Sequence, residues 1–271
     1  MLITRRAAIT TASAGVVSLT VPRLLAVPTA EKGPAAAPYA GFPTQPPELA
    51  REMVGVSHAK IDRVRELLAE HPALAKAAWD WGFGDWETAL GSASHTGQRE
   101  IAALLMKHGA RPDIFTFAML GQLDVVKAYI AANPGIQRTH GPHGITLLSH
   151  AKAGGDEAKA VVKYLEELGD ADIGQKSLPL SEESKKLCQG EYSFGAKPDD
   201  RLIIAPGRFS DLAIQRGKEG ASRPLFHLGD NAFHPTGAPS VRIEFELKNG
   251  RATSVTIIDG PDRLLAPRIG A

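Results

Sequence analysis

The sequence reads Thr88-Ala-Leu-Gly-Ser-Ala93 and, soon afterwards, Gln98-Arg-Glu-Ile-Ala-Ala-Leu-Leu-Met-Lys-His-Gly109-Ala110. Apolar residues in the second stretch recur at helical spacing, which predicts an amphipathic helix that ends at Gly109. The first stretch predicts a shorter helix ahead of it. Together the two stretches predict a pair of helices joined by a short turn.

The same pattern repeats along the middle of the chain. Similar amphipathic helices are predicted at residues 60–72, 122–134 and 158–169, and each ends at a glycine or a proline. A second short helix opens with Thr146-Leu-Leu-Ser-His-Ala151. One helix pair cannot bury its own apolar face, so stacking of roughly three or more neighbours is needed for stability. The pattern therefore predicts an α-helical solenoid.

The stretches that begin at Thr88 and Thr146 resemble the Thr-Pro-Leu-His-x-Ala opening of the ankyrin repeat. Alignment of four degenerate units at Ala50, Thr88, Pro112 and Thr146 gives separations of 38, 24 and 34 residues by subtraction, beside a family period of about 33. The resemblance implies that a partner is contacted by the loops between units, called fingers, and by the ends of the short helices, which face a concave groove.

The pattern changes from Cys188 onward to short strands and turns. Val241-Arg-Ile-Glu-Phe-Glu-Leu247 alternates polar and apolar residues, and Asn249-Gly250 after it is a strong hairpin signal. Further strands are predicted at residues 190–194, 201–204, 211–215, 224–228 and 252–258. We expect an antiparallel meander that curls into a small barrel or sandwich. It resembles the lipocalin-like β-domain appended to some exported bacterial proteins, which starts Gly-x-Tyr, as Gly190-Glu-Tyr192 does here.

The N-terminus indicates export. Arg5-Arg6 precedes a short apolar stretch, Thr11 to Leu19, as in secretory signals, and the arginine pair resembles the twin-arginine signal. This stretch is too short to span a bilayer. We expect a periplasmic or secreted protein with no membrane span in the mature chain; the alternative is a cytosolic protein with an amphipathic N-terminus.

The expected fold class is α+β with two domains, an ankyrin solenoid and a small antiparallel β-domain. The expected segments are a signal peptide (1–30), a Pro/Ala-rich linker (31–47), the ankyrin-repeat domain (48–173), a linker with a short helix (174–187) and the β-domain (188–271).

Composition and motifs argue against several functions. The chain has 31 basic and 30 acidic residues with no basic run, so nucleic acid is not expected as a partner. The Gly-x-Ser-x-Gly elbow, the zinc motif His-Glu-x-x-His and phosphate-binding glycine loops do not occur in the sequence. We therefore expect a protein that is not an enzyme and uses no cofactor.

Nine histidines raise the question of a metal site. His140-Gly-Pro-His143 could place two imidazoles on one turn, with His150 on the next helix. Zinc needs further ligands, and no cysteine, aspartate or glutamate is close to them in sequence. We expect no metal site, with His140 and His143 as exposed turn residues. Cys188 is expected to be a buried apolar residue rather than a nucleophile.

All three tryptophans fall within Trp79-Asp-Trp-Gly-Phe-Gly-Asp-Trp86, on the finger between the first and second units. Aromatic residues in loops are usually packed or used for contact, and tryptophan dominates binding hot spots. Two interpretations stay open: a binding fingertip, or rings that cover the apolar end of the stack. Trp79 and Trp86 are expected to be core residues.

The function expected is a non-catalytic protein-binding or assembly scaffold outside the cytoplasm. The alternative is a small-ligand-binding or accessory subunit of an exported enzyme, in which the β-domain holds the ligand; a deep pocket with convergent polar groups would favour it. The candidate partner-binding residues lie on the fingers and the concave face: Trp81, Phe83, Asp85, Glu87, His58, His95, Thr96, Met119, Leu120 and His143.

Overall fold

A computed structural model describes residues 44–208, 210–218 and 220–270. The chain divides into two units, Met1–Thr44 and Gln45–Ala271, and every helix and strand named below belongs to the second unit. The expected signal peptide and most of the expected Pro/Ala-rich linker lie outside the described residues. Among the described helices, none has the length and apolar character needed to cross a membrane.

The helical part (residues 47–168) consists of four consecutive helix pairs. The first helices of successive pairs pack against one another, and among the second helices α2 contacts α4 and α6 contacts α8. The helices are α1 (Pro47–Val56), α2 (Ile61–Glu70), α3 (Ala89–His95), α4 (Arg99–Lys107), α5 (Ile114–Met119), α6 (Leu123–Ala132), α7 (Leu147–Ala153) and α8 (Lys159–Leu168).

Side-chain caps fix the start of three of the short helices. The side-chain oxygens of Thr88, Asp113 and Thr146 accept hydrogen bonds from the backbone N–H three residues further on, at 2.9, 2.9 and 3.2 Å. Such a cap satisfies one of the free donors of the first helical turn and stabilises a helix by about 1 kcal/mol. The three caps set α3, α5 and α7 at equivalent places in their pairs.

The turns inside the second and third helix pairs allow the fourth pair to approach closely. Gly97 and Gly121 adopt φ of 72° and 74°, which favours glycine. A Cβ atom on Gly97 would lie 2.1 Å from the carbonyl oxygen of Ala153, and one on Gly121 would lie 2.2 Å from that of Glu157. Any larger residue would push the fourth pair away from the second and third.

Two apolar clusters fill the helical part. One lies mainly among α1–α4 and contains Met53, Leu67, Leu105 and Met119, while the other lies among α5–α8 around Leu165. Truncating one such buried side chain to alanine typically costs about 2–5 kcal/mol. The clusters therefore hold the pairs together as one stack.

A finger hairpin (residues 78–88) connects the first and second pairs. It consists of β1 (Ala78–Asp80) and β2 (Trp86–Thr88), paired antiparallel with Trp79 opposite Glu87. The loop between the strands contains Phe83 at φ 62° between two glycines with positive φ. Since β2 ends at Thr88, the cap of α3, the finger runs into that helix without a linker.

The barrel (residues 190–267) is an antiparallel sheet of eight strands, preceded by α9 (Glu182–Cys188). Each strand pairs with its neighbours in sequence, and a bridge between Tyr192 and Arg268 brings the first and last strands together, so the sheet nearly closes. The strands are β3 (Gly190–Ser193), β4 (Arg201–Ala205), β5 (Leu212–Arg216), β6 (Arg223–Gly229), β7 (Ala232–Pro235), β8 (Arg242–Lys248), β9 (Arg251–Asp259) and β10 (Asp262–Pro267).

The expected mixture of helices and an antiparallel β meander is confirmed. Lys248 pairs with Arg251 across Asn249 and Gly250, which have φ of 52° and 74°, as a two-residue hairpin turn requires. Tyr192 and other inward residues fill the barrel with one apolar cluster. Cys188 is buried against this cluster, as expected, and burial raises the pKa of its thiol to about 11.

The helical part and the barrel touch within the second unit. Phe83 of the finger packs against the apolar cluster of the barrel. In the connecting segment, the Leu178 amide donates to the His227 carbonyl at 2.9 Å, and the His227 amide donates to Ser177 Oγ at 3.0 Å. The domain boundaries expected at residues 173 and 187 stay predictions.

Candidate metal centre

Four side chains from separate parts of the helical stack converge on one point. His58 follows α1, Glu87 lies in β2, His95 ends α3, and His143 lies in the loop before α7. One donor atom from each, a ring nitrogen or a carboxylate oxygen, lies within 4.8 Å of all the others. We call these four residues the His–Glu cluster.

The distances inside the cluster fit donors that share one ion. Nε2 of His58 lies 3.2 Å from Nε2 of His95, which lies 2.8 Å from Oε1 of Glu87. Oε2 of Glu87 lies 3.4 Å from Nε2 of His143 and 3.6 Å from Nε2 of His58. Ligands placed tetrahedrally around zinc at about 2.0–2.1 Å are about 3.3 Å apart. These four separations are close to that spacing, and because all the donors lie within 4.8 Å of one another, adjustments of at most about 1.5 Å would let them surround a metal ion.

Two of the imidazoles are oriented by partners outside the cluster. Nδ1 of His58 faces the carbonyl oxygen of Gly55 at 3.0 Å and can only donate to it, which leaves Nε2 directed at His95 and Glu87. Nδ1 of His143 lies 2.7 Å from Oδ2 of Asp85, whose Oδ1 accepts the His143 amide at 2.9 Å. Partners of this kind fix the tautomer and direction of metal-binding histidines.

The backbone of His143 is also held in an uncommon conformation. Its φ is 59°, in the left-handed region that residues other than glycine seldom adopt. Strain of this kind persists only where the surroundings over-determine the position, and it concentrates at functional sites. The two hydrogen bonds to Asp85 hold the residue in place, and they turn its ring toward Glu87.

Glu87 is the buried acidic member of the cluster. It is 1% exposed, and its Oε2 accepts a hydrogen bond from the indole Nε1 of Trp81 at 2.7 Å. Burial alone would raise the pKa of Glu87, but hydrogen bonds to His143 and His95 outweigh it and hold the pKa well below its usual range. Glu87 is thus an ionised carboxylate, and a buried carboxylate requires a nearby positive charge.

That charge comes from a proton on His143 or from a metal ion. Burial alone would lower the pKa of His143, but bonds to Asp85 and Glu87 outweigh it and raise the pKa to about 9. Asp85 is 2% exposed; burial opposes its ionisation, while bonds from His143 and Arg223 keep its pKa low. A divalent ion at the cluster would replace the proton on His143 Nε2 and still neutralise Glu87.

Six of the ten candidate residues lie in or around the cluster. Four of them form it, Asp85 orients His143, and Trp81 donates to Glu87. Asp85 and Glu87 are therefore buried and offer little surface to a partner. Phe83 packs on the barrel instead of pointing outward.

The remaining candidates, Met119, Leu120 and Thr96, take part in packing or bonding within the helical part. Met119 is 0% exposed and belongs to the helical core, so a partner cannot touch its side chain. Leu120 is partly buried against the same core. Thr96, the residue after α3, donates from Oγ1 to the Ser92 carbonyl at 2.6 Å.

The finger also corrects one expectation about the tryptophans. Trp79 and Trp81 pack against the helical core, but Trp86, expected to be a core residue, is 63% exposed. Successive side chains of a strand point to opposite faces. Because Glu87 points inward to the cluster, its neighbour Trp86 has to point outward.

The structure separates the histidines that are close in sequence. His140 is exposed, and its Nε2 lies 2.6 Å from the Ile173 carbonyl oxygen. His150 is buried beside His95, with a ring-centroid distance of 6.3 Å, but is not part of the cluster. His143, expected to be an exposed turn residue, is partly buried. No acidic residue is close to it in sequence, but the fold places Glu87 beside its ring.

One signal in the sequence could have led to the cluster. His95 ends the first helix of its pair and His58 lies just after the first helix of its own, while Glu87 lies on the finger directly before the second pair. Stacking brings equivalent positions of neighbouring units together. Only His143, from the loop before the fourth pair, could not have been placed in this way.

Comparison of the chain with protein-family models finds no matching family, and comparison with curated proteins finds no significant match. The arguments for function therefore rest on the geometry of the site.

Proposed function

We propose that this protein binds one divalent transition-metal ion through His58, Glu87, His95 and His143. The observation that carries the proposal is the convergence of four donors within 4.8 Å. Three imidazoles and one carboxylate suit Zn²⁺ and neighbouring ions such as Cu²⁺ or Ni²⁺, whereas Ca²⁺ and Mg²⁺ prefer oxygen ligands. Among these ions we propose Zn²⁺, because it takes four such ligands and does not change its oxidation state.

The ion has a structural role in this proposal. A zinc ion with four protein ligands has no open position for substrate, which is typical of structural sites. Here the ligands come from α1, the finger, α3 and the loop before α7, so the ion would join elements of three helix pairs. This agrees with the expectation, still untested, that the protein is not an enzyme.

The ion would be bound in a helical scaffold, which we propose to be a degenerate ankyrin-type solenoid. Support comes from the four helix pairs, the equivalent caps at Thr88, Asp113 and Thr146, and the finger hairpin. A scaffold role has one supporting observation of its own, the exposed ring of Trp86 at the finger, since exposed tryptophans often anchor interfaces. The barrel interior is filled by apolar side chains, which gives the ligand-binding alternative no support.

Metal binding is tested by titrating the chelator-treated protein with Zn²⁺ in competition with a chromophoric chelator. We expect one ion per chain. His143→Gln should weaken binding at least about tenfold, because a ligand is lost. The matched control is His140→Gln, which changes an exposed histidine of the same loop and should bind as the wild type does.

Two results would contradict the proposal. If the wild type binds no Zn²⁺, the cluster is a buried ion network neutralised by the proton on His143. If His140→Gln and His143→Gln weaken binding equally, the ion lies elsewhere.

A further inference from the structure

We infer that the barrel holds the metal site in its binding geometry, with Arg223 as the positioning residue. Ion binding and docking of the barrel onto the helical part are therefore coupled. This inference rests on the proposed metal binding. It concerns residues of β6 and of the turn after β7, which contribute no ligand to the cluster.

Asp85 is the link between the two parts. Its carboxylate accepts the amide and the ring Nδ1 of His143 on one side, and a guanidinium nitrogen of Arg223 on the other. Asp85 is 2% exposed and Arg223 is 6% exposed, so the pair is shielded from water. A carboxylate that accepts from the second ring nitrogen of a ligand histidine is a common outer partner in metal sites.

Arg223 also ties the finger to the barrel. Its Nη1 donates to the Trp81 carbonyl at 3.1 Å, and its Nη2 donates to the Thr236 carbonyl at 3.1 Å as well as to Asp85. The planar guanidinium can reach these acceptors together because its donors form a fixed fork. Asp85 is therefore fixed in position by a residue of the barrel.

The turn after β7 adds a second contact from the barrel. Thr236 Oγ1 donates to the His143 carbonyl at 2.8 Å. Gly237, at φ 73°, passes so close to Asp85 that a Cβ atom there would lie 2.4 Å from Oδ1. Both Asp85 and His143 are thus in direct contact with the barrel.

Without Arg223, the Asp85 side chain should be free to turn away from His143. The orientation of the His143 ring would then be less restricted. Loss of an outer partner typically weakens metal affinity about 10–100-fold. Coupling between two binding events is reciprocal, so the ion should stabilise the contact of barrel and helical part by the same factor.

The test uses the full chain. Zn²⁺ affinity and the visible absorption spectrum of bound Co²⁺, which reports ligand geometry, are measured for the wild type, Arg223→Met and Thr236→Val. Arg242→Met is the matched control, because Arg242 is also a barrel arginine paired with a carboxylate, Glu244, but is exposed. Thr236→Val keeps the size of the side chain and removes only one hydrogen bond, so it is the test variant if Arg223→Met does not fold.

We expect Arg223→Met to bind Zn²⁺ at least tenfold more weakly, with a shifted Co²⁺ spectrum, and Thr236→Val to change in the same direction by less. Arg242→Met should match the wild type. Zn²⁺ should also slow hydrogen exchange of residues 232–238 in the wild type.

The outcomes separate the two proposals. If the wild type binds Zn²⁺ but both Arg223→Met and Thr236→Val keep its affinity and Co²⁺ spectrum, the coupling is refuted and the metal site stands. If the wild type binds neither ion, the metal site is refuted and the coupling with it.

Discussion

Acidification should destabilise the metal-free protein through His150. This residue is 0% exposed, and its Nδ1 donates to the Thr146 carbonyl at 2.8 Å. Its Nε2 has no hydrogen-bond partner among the described residues. Burial lowers the pKa of His150 from 6.5 to about 4, because a second proton, on Nε2, would meet neither water nor an acceptor among the described residues.

The sign and size follow from the two pKa values. Between pH 6.5 and 4 the unfolded chain binds a proton at His150 and the folded chain does not. The folded state is therefore at its full stability with respect to His150 above pH 6.5, and this stability is lost as the pH falls toward 4. The difference between a pKa of 6.5 and one of about 4, at about 1.4 kcal/mol for each tenfold change in proton affinity, amounts to about 3.5 kcal/mol of unfolding free energy. That is a large part of the stability of an ordinary domain.

The measurement is urea unfolding in the presence of a chelator at pH 7.5 and pH 4.5, for the wild type and for His150→Gln. The variant removes the titrating group, so the difference between the two proteins isolates it from other acids and bases. His143 acts in the opposite direction: its stabilisation is complete below pH 6.5 and is lost as the pH rises through about 9. Equal losses of stability in wild type and variant would refute the reasoning, as would a His150 pKa near 6.5 measured by NMR.

Three further predictions concern the site and the stack. Glu87→Gln keeps the shape of the side chain but removes its negative charge, so chelator competition should show a Zn²⁺ affinity at least about tenfold lower than that of the wild type. Trp81→Phe removes the donor to Glu87 and should cost about 1–3 kcal/mol in urea unfolding, while Trp86→Phe, an exposed control, should stay within about 0.5 kcal/mol; equal losses would contradict the inward position of Trp81. Gly97→Ala should cost more than about 1 kcal/mol, because its Cβ meets the Ala153 carbonyl, and an unchanged unfolding midpoint would contradict the close packing of the pairs.

Local patterns were sufficient for most of the secondary structure. The alternation in β8 and the Asn249-Gly250 turn predict the β8–β9 hairpin because side-chain direction and turn type are set by neighbouring residues. β7 and β10 were not predicted. Ala232–Pro235 is short and buried along its whole length, and Asp262–Pro267 is largely exposed, so neither shows a half-buried alternation. These strands form because the sheet around them offers a partner edge.

The cluster could not be predicted from local spacing. Zinc motifs are recognised by short spacings between ligands, and no cysteine, aspartate or glutamate is close to His143 in the sequence. Glu87, His95 and His143 are separated by 8 and 48 residues along the chain, by subtraction, yet their donor atoms lie within 4.8 Å. Where helix pairs pack against one another, as the first helices do here, residues far apart along the chain become adjacent, so local spacing does not reveal the site. Histidines at equivalent helix ends, together with a carboxylate on the finger between them, are therefore a better signal for a metal site in such a chain than any local spacing.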